Sequence, residues 1–355
     1  MKDLLFTKNY IIKSKKRILR NSEIAVYYER LSQDFDEYAL VEKANRVANC
    51  LKYIDCDYYR FQGVKDVKRV NACGDIFCNN CQNRLGNKRF NKYAPFLTKL
   101  SDVFDLYHIT FTIPNVNSYE LKGALEKMYK KFPYIIRYFK GIQKAKGFDF
   151  SQFGFVGAVR NLEITVKNKN GKTEYHPHFH CIFLLRKDLD MSGVNYNVYS
   201  YKRNKNEVTA FSDFEIFLQK FWKLIYTGKK FTKENFESFD LGYSCIAQKA
   251  SKEDIKEVFK YTVEGIFKDD FELSYNIFAT LYNALHRRKI IQGYGILNKF
   301  KFDVNSDDDK IDRYIKVVED LNTVEKPIFH VMKFDNVLSE MESGIRFISK
   351  YRKDE

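Results

Sequence analysis

The stretch from Tyr175 to Leu185 reads Tyr-His-Pro-His-Phe-His-Cys-Ile-Phe-Leu-Leu, and it restricts the possible folds of this chain more than any other segment. Three of the six histidines fall inside it and alternate with Pro177 and Phe179. Alternation at period two places His176, His178 and His180 on one face of a β-strand. Neutral imidazole is the commonest side-chain metal ligand, so such a face is half of a divalent metal site. The preceding segment offers another ligand. Leu162-Glu163-Ile164-Thr165-Val166 has strand composition, and Asn170-Gly171 is the strongest two-residue hairpin signal. With Asn170 and Gly171 as the turn, Lys169 faces Lys172, and counting outward brings Glu163 directly opposite His178. Facing Cβ atoms lie roughly 4.5–5.5 Å apart, so one ion could touch both residues. A slip of one residue would send Glu163 to the other face. A surface strand that merely happened to carry solvated histidines would require no such register.

The chain has 355 residues, enough for a substantial core and consistent with two compact units. It has no apolar run of about 18 residues or more, and Met1 to Lys8 lacks the apolar centre of a signal peptide. This predicts a cytoplasmic protein with no membrane partner. The formal charge of +15 suits a polyanion. Abundant Lys, Asn, Ile, Phe and Tyr with scarce Trp and Pro is also what an AT-rich genome produces, so charge alone does not select DNA.

Seven cysteines in such a compartment point to thiols or metal ligands before disulfides. Cys73-x4-Cys78-x2-Cys81 has the short spacing of zinc knuckles, and Cys50 or Cys56 could supply a fourth thiolate to a closed structural Zn²⁺ site. Basic residues surround it, among them Arg84, Lys88 and Arg89, which could meet phosphates.

These features divide the chain into a helical segment 1–49, a cysteine-rich segment 50–95, a catalytic domain 96–302 and a C-terminal appendage 303–355. Leu106 to Pro114 is a strand ended by proline, in which His108 reads as an ordinary strand histidine. Tyr119 to Lys144 is helical and basic. Ser212 to Tyr226 is an amphipathic helix whose aromatic stripe, with the single Trp, belongs to the core. From Ser251 to Phe267 a further helix is predicted, with Glu257, Tyr261 and Glu264 on one face. Arg287, Arg288 and Lys289 precede a glycine turn and suit contact with backbone phosphates.

In order, Cys50 with Cys73-x4-Cys78-x2-Cys81-x2-Arg84, Thr110-Phe111-Thr112, Leu162-Glu163-Ile164-Thr165, His176-Pro177-His178-Phe179-His180 and Glu257-x2-Lys260-Tyr261 resemble the motifs of rolling-circle replication initiators of small plasmids and phages. These belong to the HUH endonuclease superfamily, and the resemblance covers about residues 43 to 300. It implies an α+β fold, with a central antiparallel sheet of about five strands, the histidine strand in the middle and flanking helices. It implies His178 and His180 as paired metal ligands with Glu163 as a third, and it favours Cys50 over Cys56 for the zinc. Tyr261 would be the nucleophile, forming a 5′-phosphotyrosine, with Lys260 or a Mn²⁺ or Mg²⁺ ion helping it ionise. Glu257 would activate water or position the strand for a second cleavage, with Glu264 as its rival. Glu264 stands where the family often has a lysine. The partners implied are origin DNA, cut as a single strand or extruded hairpin, and a host helicase and polymerase. Two other readings are a related relaxase or transposase and a zinc-stabilised DNA-binding regulator that never cuts. Relaxases usually carry three histidines without the cysteine cluster, and a regulator leaves the co-occurrence of Glu163, His178, His180 and Tyr261 unexplained.

Overall fold

A computed structural model describes residues 5–169, 172–187, 200–204, 207–239, 242–259, 263–264, 273–298 and 308–349. The strands are β1 Tyr53–Tyr59, β2 Val64–Val70, β3 Phe104–Thr112, β4 Gly157–Lys169, β5 Lys172–Arg186, β6 Ser200–Asn204, β7 Glu207–Ala210, β8 Cys245–Lys249, β9 Val263–Glu264, β10 Ile291–Gly295, β11 Ile328–Lys333 and β12 Arg346–Ile348. The helices are α1 Lys8–Phe35, α2 Ala39–Ala48, α3 Asn79–Leu100, α4 Leu121–Phe139, α5 Asp213–Thr227, α6 Lys233–Glu237, α7 Lys252–Val258, α8 Tyr275–Leu285, α9 Asp308–Val324 and α10 Val337–Glu342. The chain divides into two compact units, one formed by Met1–Leu85 with Asp303–Glu355 and the other by Gly86–Phe302. Among the described residues no helix is long and apolar enough to cross a membrane.

The first unit has a four-stranded sheet in the order β11-β1-β2-β12. Its strands pair antiparallel except β12, which runs parallel to β2. Ile11 and Ile18 of α1 pack with Ile54, Val67, Met332, Phe334 and Phe347 in one core that also holds Cys50, Cys78 and Cys81. The segment 303–355, set apart above as an appendage, thus supplies both edge strands of this sheet. A sequence reading by windows does not see those pairings, because Tyr58 meets Ile328 and Asp66 meets Ile348 across most of the chain.

The second unit is an α+β layer structure around a sheet in the order β10-β4-β5-β3-β8, in which each neighbouring pair is antiparallel. The histidine strand β5 is central, and β9 adds a short parallel pairing to the far end of β4. One face is closed by aromatics: Phe111 and Phe179 of the sheet meet Phe132 of α4 edge to face, and Phe111 likewise meets Trp222 of α5. Helix α5 begins at Ser212 with a reciprocal capping box to Glu215, and Glu215 also accepts from the Ala247 amide of edge strand β8. Trp222 is fully buried, and its indole N–H donates to the Thr112 carbonyl at 2.6 Å. Trp222→Ala is expected to lose about 3–5 kcal/mol in urea unfolding, because it opens a cavity and orphans that carbonyl.

On the opposite face, Tyr93, Ala94 and Leu97 of α3 and Ile255 and Val258 of α7 cover Leu106, Val159, Ile182 and Leu184. That leaves the His176–His180 end of the same face for chemistry. Helix α7 is shorter than the predicted 251–267. It starts at Ser251 with a capping box to Asp254, ends at Val258, and Val263–Glu264 is strand β9 against Ile164–Thr165. Glu264 therefore does not share a helical face with Glu257; β-pairing with β4 overrides the helical spacing that the sequence offered.

Candidate metal centres

The hairpin of β4 and β5 has the register that the Asn170-Gly171 turn predicts. Lys169 pairs with Lys172 and Glu163 with His178, while Asn170 and Gly171 themselves lie outside the described residues. Glu163 sits between two imidazoles, with Oε1 3.1 Å from His178 Nε2 and Oε2 3.2 Å from His180 Nε2. Burial opposes ionisation of Glu163, but the hydrogen bonds and charge of the two histidines hold its carboxyl below the usual carboxylate range. Among the described residues these three form a group whose donor atoms all lie within 4.8 Å of one another. His176 is on the same face opposite Thr165, its ring 5.3 Å from that of His178, and is not part of that converging group.

The donor set fits a divalent ion. Adjacent ligands of an octahedral ion at about 2.1 Å lie about 3.0 Å apart, close to the Glu163–imidazole separations. Two nitrogens and a carboxylate suit Mn²⁺, and Mg²⁺ less well because it favours oxygen. Two polar atoms on this face are buried without a hydrogen-bond partner among the described residues, His178 Nδ1 and Asn161 Oδ1. Asn161 faces His180 across the β4–β5 pair.

Strand β3 contributes residues that the sequence reading did not assign to the site. Thr110 pairs with His180, and two residues back on the same face is His108. His108 Nε2 lies 3.1 Å from His180 Nδ1, and Thr110 Oγ1 lies 3.2 Å from the same nitrogen. The other ring nitrogen of His108 is 3.3 Å from Asp254 Oδ1 on α7. Burial, then the neighbouring His180, lowers the pKa of His108 and favours its neutral form. Period two along β3 marks His108 and Thr110 as a pair. Only the β3–β5 pairing, between segments far apart in sequence, shows what they face.

Of the expected catalytic residues, Glu257 lies in the last turns of α7 and is half-buried. Lys260 and Tyr261 lie outside the described residues, as does Thr262. Of the described elements on either side of them, α7 reaches His108 through Asp254, and β9 pairs with Ile164 and Thr165.

In the first unit the sulfurs of Cys50, Cys73, Cys78 and Cys81 converge, with Cys50–Cys81 and Cys73–Cys81 at 3.6 Å and Cys50–Cys78 at 3.4 Å. Four sulfurs at about 2.3 Å around a tetrahedral ion stand about 3.8 Å apart, so this group could hold a structural metal such as zinc. Cys81 accepts from the Gly74 amide at 3.2 Å, and hydrogen bonding within the cluster pushes its pKa down, while hydrogen bonding within the cluster and burial push the other three up. Cys56 lies in β1, outside the group, and burial raises its thiol to about 12. The loop is braced by Asp75, which accepts from Tyr28 Oη at 3.0 Å, the Phe77 amide at 2.7 Å and Lys43 at 2.9 Å.

The basic residues separate by environment. Arg84 and Lys88 are exposed on α3, whereas burial lowers the pKa of Arg89, whose Nη1 has no partner among the described residues. Arg287 and Lys289 are exposed between α8 and edge strand β10. Arg288 is engaged by Glu126 at 3.3 Å and the Lys122 carbonyl at 3.4 Å, so its charge is committed to α4.

A "Protein rep" from a Bacillus species is 25% identical over 310 residues, spanning 83% of this chain and 91% of that protein. A "Protein rep" from Staphylococcus aureus is 29% identical over 125 residues, 34% of this chain and 48% of that protein. No family model and no solved structure matches the chain.

Proposed function

We propose that this protein is a replication initiator of the HUH endonuclease kind, which nicks and rejoins one DNA strand at an origin and so starts rolling-circle replication. The observation that carries the reading is the convergence of Glu163, His178 and His180 on the central strand of an antiparallel sheet. The name shared by the two relatives supports a role in replication.

Tyr261 is the proposed nucleophile. Its phenolic oxygen attacks the scissile phosphorus, the bond from phosphorus to the 3′ oxygen breaks, and that oxygen leaves as a 3′-hydroxyl able to prime synthesis. The phosphodiester energy is kept in the 5′-phosphotyrosine, so attack by a 3′-hydroxyl reverses the step. Lys260 assists loss of the phenolic proton, whose ordinary pKa is about 10. Glu163, His178 and His180 would hold Mn²⁺ or Mg²⁺, which supplies a Lewis acid to the scissile phosphate. Glu257 is proposed to activate water or to position a second strand after one round. Arg84, Lys88, Arg287 and Lys289 are proposed to contact backbone phosphates, and the cysteine cluster to hold Zn²⁺.

The test incubates the protein with labelled single-stranded DNA carrying its origin, in Mn²⁺ or in EDTA, and scores denaturing gels for a protein–DNA adduct. An adduct in Mn²⁺ that is absent in EDTA is expected. Origin binding that survives EDTA, with no adduct under either condition, would favour the non-cutting regulator.

A further inference from the structure

The hydrogen bonds behind His180 have only one consistent direction. Asp254 Oδ2 accepts from the Ser251 amide at 2.9 Å and from its hydroxyl at 2.8 Å, which fixes the carboxylate in the α7 cap. Its Oδ1 accepts from Gln248 Nε2 at 2.6 Å and lies 3.3 Å from His108 Nδ1. An ionised carboxylate only accepts, so His108 carries its proton on Nδ1. A neutral imidazole has one ring proton, so His108 Nε2 is bare and accepts across 3.1 Å from His180 Nδ1. Neutral His180 then has its proton on Nδ1 and a bare Nε2. That nitrogen faces Glu163 Oε2 at 3.2 Å, a gap that either a second ring proton hydrogen-bonded to the carboxylate or a metal cation can fill.

We propose that Asp254 and His108 are positioning residues that set the tautomer of His180, presenting its Nε2 as a metal ligand and aiming it at the position shared with Glu163. This rests on the metal site proposed above and deepens it. Neither residue touches the ion or the DNA. Their contribution is to keep the proton of neutral His180 on Nδ1, so that the nitrogen left bare is the one facing Glu163, and so to spare the ion the cost of turning the ring. Thr110 Oγ1, 3.2 Å from His180 Nδ1, can donate or accept and so does not impose a direction.

Two readouts on the full chain at pH 8 test this. With six histidines, ¹⁵N-histidine spectra of the metal-free protein can be assigned by substitution. His108 is expected as the Nδ1–H tautomer. In Asp254→Asn the cap keeps its carbonyl oxygen, an amide N–H replaces Oδ1, and His108 is expected to switch to Nε2–H. Mn²⁺ titrations followed by electron paramagnetic resonance give the second readout. Asp254→Asn and His108→Phe are expected to raise the Kd about 10–100-fold. His108→Gln, whose Oε1 can accept from His180, should recover most of the loss. His178→Ala serves as the ligand control and should abolish binding at the site. Wild-type Kd in Asp254→Asn and His108→Phe, with His108 as Nε2–H, would overturn the relay and leave the metal site standing. A wild-type protein that binds Mn²⁺ no better than His178→Ala would overturn the metal site and the relay with it.

Discussion

Replacing Tyr261 by Phe is expected to abolish the covalent protein–DNA adduct while DNA and Mn²⁺ still bind. The change removes one oxygen and keeps the ring, so packing and charge at neutral pH are retained. What is lost is the only atom of that side chain able to attack phosphorus, and adduct formation should fall at least about 10³-fold. The readout is the labelled adduct on a denaturing gel beside origin binding under native conditions. An unchanged adduct would move the nucleophile to another of the 25 tyrosines, and loss of DNA binding would mean that the substitution acted through structure.

Cys78→Ser is expected to release one zinc per chain and to melt the first unit. The four sulfurs come from the end of α2, the loop after β2 and the start of α3, and three of them sit in the same core as Ile54, Val67, Met332 and Phe347. Without a cation this core must bury thiols whose ionisation burial and mutual hydrogen bonding oppose. Loss of the metal should cost at least about 5 kcal/mol, on the scale of a domain's whole stability. The single tryptophan, Trp222, belongs to the second unit, so its fluorescence melt should stay at the wild-type temperature while far-UV circular dichroism shows an early transition. A variant that keeps one zinc, or that melts like the wild type, would show that Cys78 is not a needed ligand.

What could be read from the sequence was what is local. The pairing of Glu163 with His178 follows from a two-residue turn and a period of two, and both act within one hairpin. The Ser212 cap and the buried stripe of α5 were readable for the same reason. His108 reads from the sequence as an ordinary strand histidine because its meaning comes from β3 lying beside β5, a pairing that no local pattern encodes. Val263 and Glu264 depart from the expected helix because the spacing of the sequence is helical up to Glu264, whereas pairing with Ile164 and Thr165 draws these two residues into a strand. Edge strand β11 buries only Met332 of its six residues and β12 is only three residues long, so neither offers a strong local strand pattern and the tail reads as separate.

The sheet of the first unit joins β1 and β2, made early, to β11 and β12, made late. On a ribosome the first two strands must wait while the whole of 86–302 is synthesised, and that second unit contains all the strands of its own sheet. The expected order of birth is therefore inverted: the inserted unit folds first, and the unit that opens the chain closes last. A chain broken off before Ile328 would carry Glu163, His178 and His180 together with a four-cysteine unit whose sheet lacks both edge strands, and exposed edges of that kind invite pairing with other chains.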